Sequence, residues 1–386
     1  MNLEREQKLL LQKANHIIEA CPPDIPEVPG CADGHYFSAE NLKKKTDFFH
    51  IMNWTSSFFT GIVLLAYEQS GDRRYLRWVF EKNRLFREKV FCHGKDTMHD
   101  LGFLYSPQCV ALYRITGDGA SAEIAVRAAE LLSQRFLPEY GVIRAWGRMD
   151  DTIPAYVSAE EATCHFYSES QGLAIIDCMM NIPLLYFAAQ QTGNPFFSQV
   201  ANCHAQQTMQ HFIRKDGSIY HSCRFGTGLP HGCNYCGYGD ESYWARGAAW
   251  AVYGYAIAYT YTKNSDYLNV AVCLADDFIA HLAESDAVPV WDFKLPAEEE
   301  PAKDTSAAAI AANGFLLLAN QTKNLKYHDW AKQIYHQLTK TYINYDETVA
   351  GTLCEQNGCH QYTPYGDYFY FELLRNLTDE TRTLCW

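Results

Sequence analysis

The sequence predicts an all-α fold, six helical hairpins closed into an (α/α)6 barrel, and two observations carry that expectation. The first is a layout that recurs five times, in which an apolar run ends in a short Gly/Asn turn and an amphipathic run follows. The turns are Ser70-Gly71-Asp72, Thr116-Gly117-Asp118, Thr192-Gly193-Asn194, Lys263-Asn264-Ser265 and Lys323-Asn324. A period of this size marks one supersecondary unit stacked against the next. The second is that strand signals are few, with only Gly217 to Arg224 reading as a short hairpin arm.

Taken in order, Met1 to Ala20 reads as a helix, and the Pro- and Gly-rich stretch Cys21 to Asp33 breaks it. Helix pairs follow at roughly 54–90, 101–137, 172–214, 243–284 and 304–343. Tyr368 to Leu377 supplies one more helix, which with the N-terminal one makes a sixth pair. The runs Arg246-Gly-Ala-Ala-Trp-Ala and Ala307-Ala-Ala-Ile-Ala-Ala suit inner helices, because small residues let helices approach closely. Glu123 to Gln134 and Tyr267 to His281 alternate charged and apolar residues at helical spacing, as outer helices do. An open α-solenoid binding module is the alternative closure; it would carry polar capping repeats and a wide concave face. Polar positions clustered at one end, with long aromatic linkers before the inner helices, favour a closed barrel. The expectation is a single catalytic domain over residues 1–386.

The clustering is a matter of phase. About 16 to 20 residues before each turn sits Trp54, Asp100, Asp177, Arg246 or Asp304, a distance of about 24 to 30 Å along a helix. Hairpins packed in parallel phase would bring these residues to one mouth. Loops at one end of a rigid scaffold are where function concentrates.

Composition narrows the function classes. A net charge of -13 argues against nucleic acid, although a pocket can be locally basic inside an acidic protein. Met1 to Ala20 is charged and amphipathic without an apolar signal core, and no apolar run reaches membrane-spanning length. The expectation is a cytoplasmic protein with no membrane partner, a monomer or homodimer. The 26 Tyr and 8 Trp suit helix packing and also sugar stacking. Cys109, Cys178 and Cys273 lie in apolar helical runs and read as small buried hydrophobes. The run His231-Gly-Cys233-Asn-Tyr-Cys236, with Cys354 and Cys359-His360, has the residue types of a zinc set, but one C-x-x-C alone is a weak signal. No metal or cofactor is expected. Gly-rich phosphate loops, H-E-x-x-H and G-x-S-x-G are missing from the sequence.

Asp177 is the sharpest candidate for chemistry. It lies in the apolar stretch Ala174-Ile-Ile-Asp-Cys-Met-Met-Asn-Ile-Pro, where desolvation should raise a carboxyl pKa toward that of a general acid. The competing reading is a helix N-terminal charge or cap. Asp100, next to His99, holds the same phase one repeat earlier, and two carboxyls facing one pocket can hold different proton states. Arg246, in Asp240-Glu-Ser-Tyr-Trp-Ala-Arg-Gly-Ala-Ala-Trp, could hold a substrate carboxylate or pair with Asp240 or Glu241. Trp54, Trp146, Trp244 and Trp250 could form stacking walls. His221 lies in a loop between repeats, where a lone His also serves structure.

In order along the chain, Asn53-Trp-Thr-Ser-Ser-Phe-Phe-Thr-Gly, His99-Asp-Leu-Gly-Phe, Ala174-Ile-Ile-Asp-Cys-Met-Met-Asn, Asp216-Gly-Ser-Ile-Tyr-His, Glu241-Ser-Tyr-Trp-Ala-Arg-Gly-Ala-Ala-Trp, Asp304-Thr-Ser-Ala-Ala-Ala and Tyr365-Gly-Asp-Tyr-Phe resemble glycoside hydrolase family 88, the unsaturated glucuronyl hydrolases. That resemblance spans nearly the whole chain and implies the same (α/α)6 barrel. It implies a small unsaturated oligosaccharide as substrate, from which a terminal 4,5-unsaturated glucuronic acid is removed by hydration of the C4=C5 enol ether. It implies Asp177 as general acid/base, Asp100 as its assistant, and His99, His221, Trp146, Trp244, Arg246, Trp250, Phe58 and Trp54 around the sugar. Two segments depart from the family pattern. Tyr235-Cys236 precede Gly237-Tyr238 where a His-Gln or Arg-containing pair is common. The span from Trp146 to Gly172, with Asp150-Asp151 and Glu160-Glu161, is longer than usual and could reshape the mouth or form a subunit contact. The readings that compete are an unsaturated rhamnogalacturonyl hydrolase acting on pectin fragments, an inverting glycosidase on saturated sugars with two carboxyls about 6.5–9.5 Å apart, and a sugar epimerase.

Overall fold

The computed structural model describes residues 3–43, 54–153, 170–282, 286–378 and 385–386. Its helices form two concentric layers. The inner layer runs through Ser56–Ser70, the segment from Leu101–Tyr105 to Ala111–Thr116, Pro183–Thr192, Ala245–Thr262, Thr305–Thr322 and Pro364–Thr378. Each packs on the next, and Pro364–Thr378 packs back on Ser56–Ser70, so the ring is closed and the open solenoid is excluded. Arg73–Cys92, Gly119–Gln134, Pro195–His211, Ser265–Leu282 and Leu325–Thr341 are the outer partners, and Leu3–Ala20 covers the join between the first and last inner helices.

The hairpin turns share one construction. Ser70, Thr116, Thr192, Thr262 and Thr322 each donate a hydroxyl to the carbonyl four residues back and accept the N–H two residues ahead. The residue between is left-handed: Gly71, Gly117, Gly193, Lys263 and Lys323. Asp72, Asp118, Asn194, Asn264 and Asn324 then cap the outer helix through their side chains, which satisfies N–H groups that a helix start leaves open. The fourth turn is therefore Thr262-Lys263-Asn264, one residue earlier than its sequence suggested.

Two inner helices depart from the regular pairs expected over 101–137 and 172–214. The second widens to a π turn over Ser106–Val110, where Pro107 removes an N–H from the ladder. The third opens as strand β3, Leu173–Ile175, passes through a tight helical turn over Ile176–Met180, and becomes α-helical only at Pro183. Strand β3 pairs antiparallel with β4, Ser222–Arg224, which pairs with β5, His231–Cys233. Of the arm expected over Gly217 to Arg224, only Ser222–Arg224 is strand, the middle one of a three-stranded sheet. A smaller hairpin joins β1, Phe136–Leu137, to β2, Val142–Ile143.

Close approach of the inner segments depends on missing side chains. A Cβ on Gly102 would lie inside the backbone of Asn181, and one on Gly254 would meet the Met179 carbonyl oxygen at 2.7 Å. The tyrosines follow the packing reading: Tyr105, Tyr253, Tyr255, Tyr368 and Tyr370 are fully buried between helices. Trp386 closes the barrel interior from the turn end, stacking on Phe369 at 5.7 Å and donating its indole N–H to Glu372 at 3.0 Å. Burial pushes the Glu372 carboxyl up to about 7. Cys109 and Cys178 are buried as expected, whereas Cys273 is exposed, because its outer helix turns it away from the inner layer. No helix among the described residues is long and apolar enough to cross a membrane.

Gly102→Ala is expected to lower unfolding free energy by about 3 kcal/mol, the upper end of overpacking costs, because backbone must move to admit the methyl. Urea denaturation measures it; a change within experimental scatter would mean that the contact relaxes freely.

Candidate active site

The two irregular inner segments begin side by side, and each carries an aspartate. Asp100 precedes the turn at Leu101 but does not cap it; its side chain makes no bond to the helix N–H groups. Asp177 sits inside the tight turn Ile176–Met180, past its N-cap Ile175, and its Oδ2 has no hydrogen-bond partner. Asn181 ties the two segments together: its Oδ1 accepts the Phe103 N–H at 2.7 Å, and its Nδ2 donates to the Asp177 carbonyl at 3.1 Å. The carboxyls are left to face the barrel mouth, with side chains 13% and 16% exposed.

Each aspartate has its own histidine. His99 is buried, and its Nδ1 bonds the Ala145 carbonyl at 3.2 Å. A carbonyl only accepts, so Nδ1 carries the ring proton and Nε2 is a lone pair. That lone pair lies 3.1 Å from Asp100 Oδ1. Burial, then the neighbouring Asp177 charge, raises the Asp100 pKa well above the usual carboxylate range. Burial also pushes His99 down to about 3. A protonated Asp100 donating to a neutral His99 satisfies both groups.

The second pair has the opposite polarity. The register of the sheet sets Ile175 opposite Ser222, and the Ile176 N–H donates to the His221 carbonyl at 2.9 Å. This register delivers His221, whose Nε2 lies 3.5 Å from Asp177 Oδ2. His221 Nδ1 accepts the Tyr235 N–H at 3.1 Å. Burial opposes charge on the ring, but Cys236 and Asp177 outweigh it and push the His221 pKa up to about 10. A nitrogen that accepts an N–H bond carries no proton, however, so the geometry keeps His221 neutral with its proton on Nε2, toward Asp177.

Aromatic rings complete the surround. Trp146 and Trp244 flank His221, with ring centres at 6.3 and 5.0 Å. Trp54 stacks on Tyr365 at 4.9 Å. Arg246 lies against both Trp244 and Tyr365, its guanidinium carbon 4.6 and 5.2 Å from their ring centres. Its partner is neither Asp240 nor Glu241 but Asp304, at 2.8 Å, and Nη2 also donates to Asn357 at 2.9 Å. Asp304 in turn caps its helix through the Ala307 N–H. Phe58 and Trp250 are fully buried and touch Phe103 from below, in the floor of the site. Sequence reasoning passed over Tyr365 and Phe103, which stood in quoted motifs but which no spacing rule singled out, and marked Tyr235 only as a departure from the family pattern.

Cys236 lies against His221. The cysteines of the described residues are thiols, and no group of three or more metal-binding side chains assembles among those residues. Asp150 pairs with Lys95 and Arg148, and Asp151 with Arg144, all within the chain. Glu160-Glu161 lie outside the described residues. A small cavity between Leu64, Glu68, Arg114 and Arg375 sits at the opposite, turn end of the barrel and is about 30 Å³, room for a water rather than a sugar.

The model of Glycosyl Hydrolase Family 88 matches residues 35–380 of the chain. The chain is 33% identical over 370 residues to the unsaturated glucuronyl hydrolase of Bacillus sp. (strain GL1), covering 88% of this chain and 93% of that one. It is 32% identical over 370 residues to the unsaturated chondroitin disaccharide hydrolase of Streptococcus pyogenes serotype M1, covering 91% and 85%. The crystal structure of the unsaturated glucuronyl hydrolase from Bacillus sp. GL1, responsible for the degradation of glycosaminoglycan, superposes with a TM-score of 0.85 at 29% identity, covering 100% of this chain and 99% of that one.

Two outcomes follow from the geometry. Arg246→Ala should cost about 3–5 kcal/mol of stability, because it strands a fully buried Asp304; calorimetry showing no loss would mean the pair contributes nothing. Asp100→Asn should raise stability at neutral pH. A carboxyl whose folded pKa is raised contributes stability below its unfolded pKa and loses it as pH rises through the folded one. Asn is spared that loss, so melting curves of variant and parent should converge in acid below about pH 4 and separate above it.

Proposed function

We propose, because the chain belongs to glycosyl hydrolase family 88, that it is a hydrolase removing the 4,5-unsaturated glucuronic acid at the non-reducing end of glycosaminoglycan-type disaccharides left by polysaccharide lyases. The observation that carries this reading is the pair of unlike carboxyl–histidine couples at one mouth, flanked by tryptophans. Relatives named for unsaturated glucuronyl and unsaturated chondroitin disaccharide substrates support it.

The chemistry needs one mobile proton and one water. The substrate's C4=C5 bond is an enol ether carrying a carboxylate. Its entry places that double bond against Asp177, the general acid of this reading. Asp177 delivers its proton to C4, and positive character develops at C5, shared with the ring oxygen. The carboxylate left behind takes a proton from a water that adds to C5, so Asp177 ends as it began. The hemiketal at C5 then opens to a ketone, the ring oxygen leaves C5 and stays on C1 as a hydroxyl, and the hemiacetal so formed at C1 collapses to an aldehyde with release of the neighbouring sugar. Hydrolysis of the glycosidic bond thus follows alkene hydration and requires no attack at C1.

The other residues have consistent roles. Neutral Asp100 spares the site a second fixed negative charge next to an anionic substrate. His221, with its proton on Nε2, steadies the Asp177 carboxylate and the incoming water. Trp146 and Trp244 give the sugar ring flat walls, with Trp54 at the rim. Arg246 keeps positive character on one wall although Asp304 holds it. Phe58 and Trp250 act from beneath. No cofactor enters any step.

Absorbance near the ultraviolet band of the conjugated enol ether should fall when the protein meets unsaturated chondroitin or hyaluronan disaccharides, and Asp177→Asn should lose at least about 10³-fold in kcat while folding normally. Loss of absorbance only with a rhamnogalacturonan disaccharide would reject the glucuronyl assignment.

A further inference from the structure

Behind the site lies a buried cation that the mechanism above does not use. Arg135 follows the outer helix Gly119–Gln134 and is 2% exposed. All five of its N–H groups are directed at main-chain carbonyls. Nε bonds Arg144 at 2.9 Å; Nη1 bonds Thr97 at 2.9 Å and Gly147 at 3.0 Å; Nη2 bonds Ala145 at 2.7 Å and Trp146 at 2.6 Å. One guanidinium therefore grips the segment that leads into His99-Asp100 and the segment that carries Trp146. No donor is left over for a carboxylate, so its charge is not cancelled by a contact ion pair. Burial lowers its pKa to about 9, which still leaves it charged at neutral pH.

The Ala145 carbonyl is the point of contact with the chemistry. It accepts from Arg135, from the His99 backbone N–H at 3.3 Å and from His99 Nδ1 at 3.2 Å. That last bond places the ring proton on Nδ1 and turns the Nε2 lone pair to Asp100.

We propose that Arg135 is a positioning residue of the hydrolytic site: by holding the Ala145 and Trp146 carbonyls it fixes the His99 tautomer and one sugar wall. The inference rests on the hydrolase reading for its kinetic part. The groups that bear on Asp100 are Asp177 and Glu27, which favour its proton, and Arg135 and Lys89, which oppose it. Those that bear on His99 are Asp177, which favours charge, and Arg135 and His204, which oppose it; His99 itself touches Asp100. Arg144, Asp100, Cys178 and Asp151 bear on Arg135 in turn.

Two variants test the clamp. Arg135→Lys keeps a cation but loses the fork. It should lower kcat by about tenfold and give His99 a mixture of tautomers by ¹⁵N NMR. Arg135→Met removes every donor of the clamp and should lower kcat further, with the same loss of a single His99 tautomer. If Arg135→Met does not fold, Arg135→Lys carries the test. A folded Arg135→Lys with parental kcat and His99 wholly in the Nδ1–H form overturns the proposal. So does activity that is lost only in proportion to folded protein. A parent protein inert on every unsaturated disaccharide would reject the hydrolase reading, and the NMR tautomer would still decide the role of Arg135.

Discussion

The contact on which the site depends is the one between Gly102 and the backbone of Asn181. Only a residue without a side chain lets the second inner segment lie directly against the third. Asn181 then bonds Phe103 on one side and the Asp177 carbonyl on the other, so Asp100 and Asp177 are held by the same residue. Spacing in sequence brings the two aspartates to one end of the barrel; this contact makes them electrostatic neighbours. Burial, then the nearness of Asp177, drives the Asp100 pKa up, and a site with two carboxyl–histidine couples in opposite hydrogen-bonding states results.

The surrounding bonds keep those states apart. His99 is anchored by a carbonyl and so offers a lone pair to Asp100. His221 is anchored by an N–H and so offers a proton toward Asp177. Two imidazoles of the same type thus take opposite tautomers because their second nitrogens meet opposite partners, which is how the outer contacts of a site set the behaviour of the inner ones. Arg246 follows a similar logic. Its charge is matched by Asp304, and its flat face serves as part of a wall between Trp244 and Tyr365.

How much of this was legible in the sequence varies with the range of the interaction. The hairpin turns are local chemistry, a hydroxyl, a left-handed residue and an Asx cap within four positions, so their recurrence could be read directly. The inner and outer faces followed from small residues and amphipathic periodicity. The broken starts of the second and third inner helices were not legible as breaks, although Pro107 and Pro183 mark them, because an apolar run with proline near its start also reads as an ordinary helix N-terminus. The pairing of β3 with β4 was hidden for another reason: three-residue strands carry no period, and Leu173–Ile175 and Ser222–Arg224 lie far apart in sequence.

The sequence by itself determined the all-α class, the hairpin repeat and the end of the barrel at which Trp54, Asp100, Asp177, Arg246 and Asp304 collect. Those properties come from helix periodicity and local turn bonds, which need no knowledge of neighbours. The tertiary structure alone decided that Arg246 pairs with Asp304 rather than with Asp240 or Glu241, that Phe58 and Trp250 lie beneath the site, that Trp386 fills the interior from the far end, and that Arg135 reaches the Ala145 carbonyl. Each of these depends on which chain segments meet across the ring, and on which buried polar atoms are left for the others to satisfy.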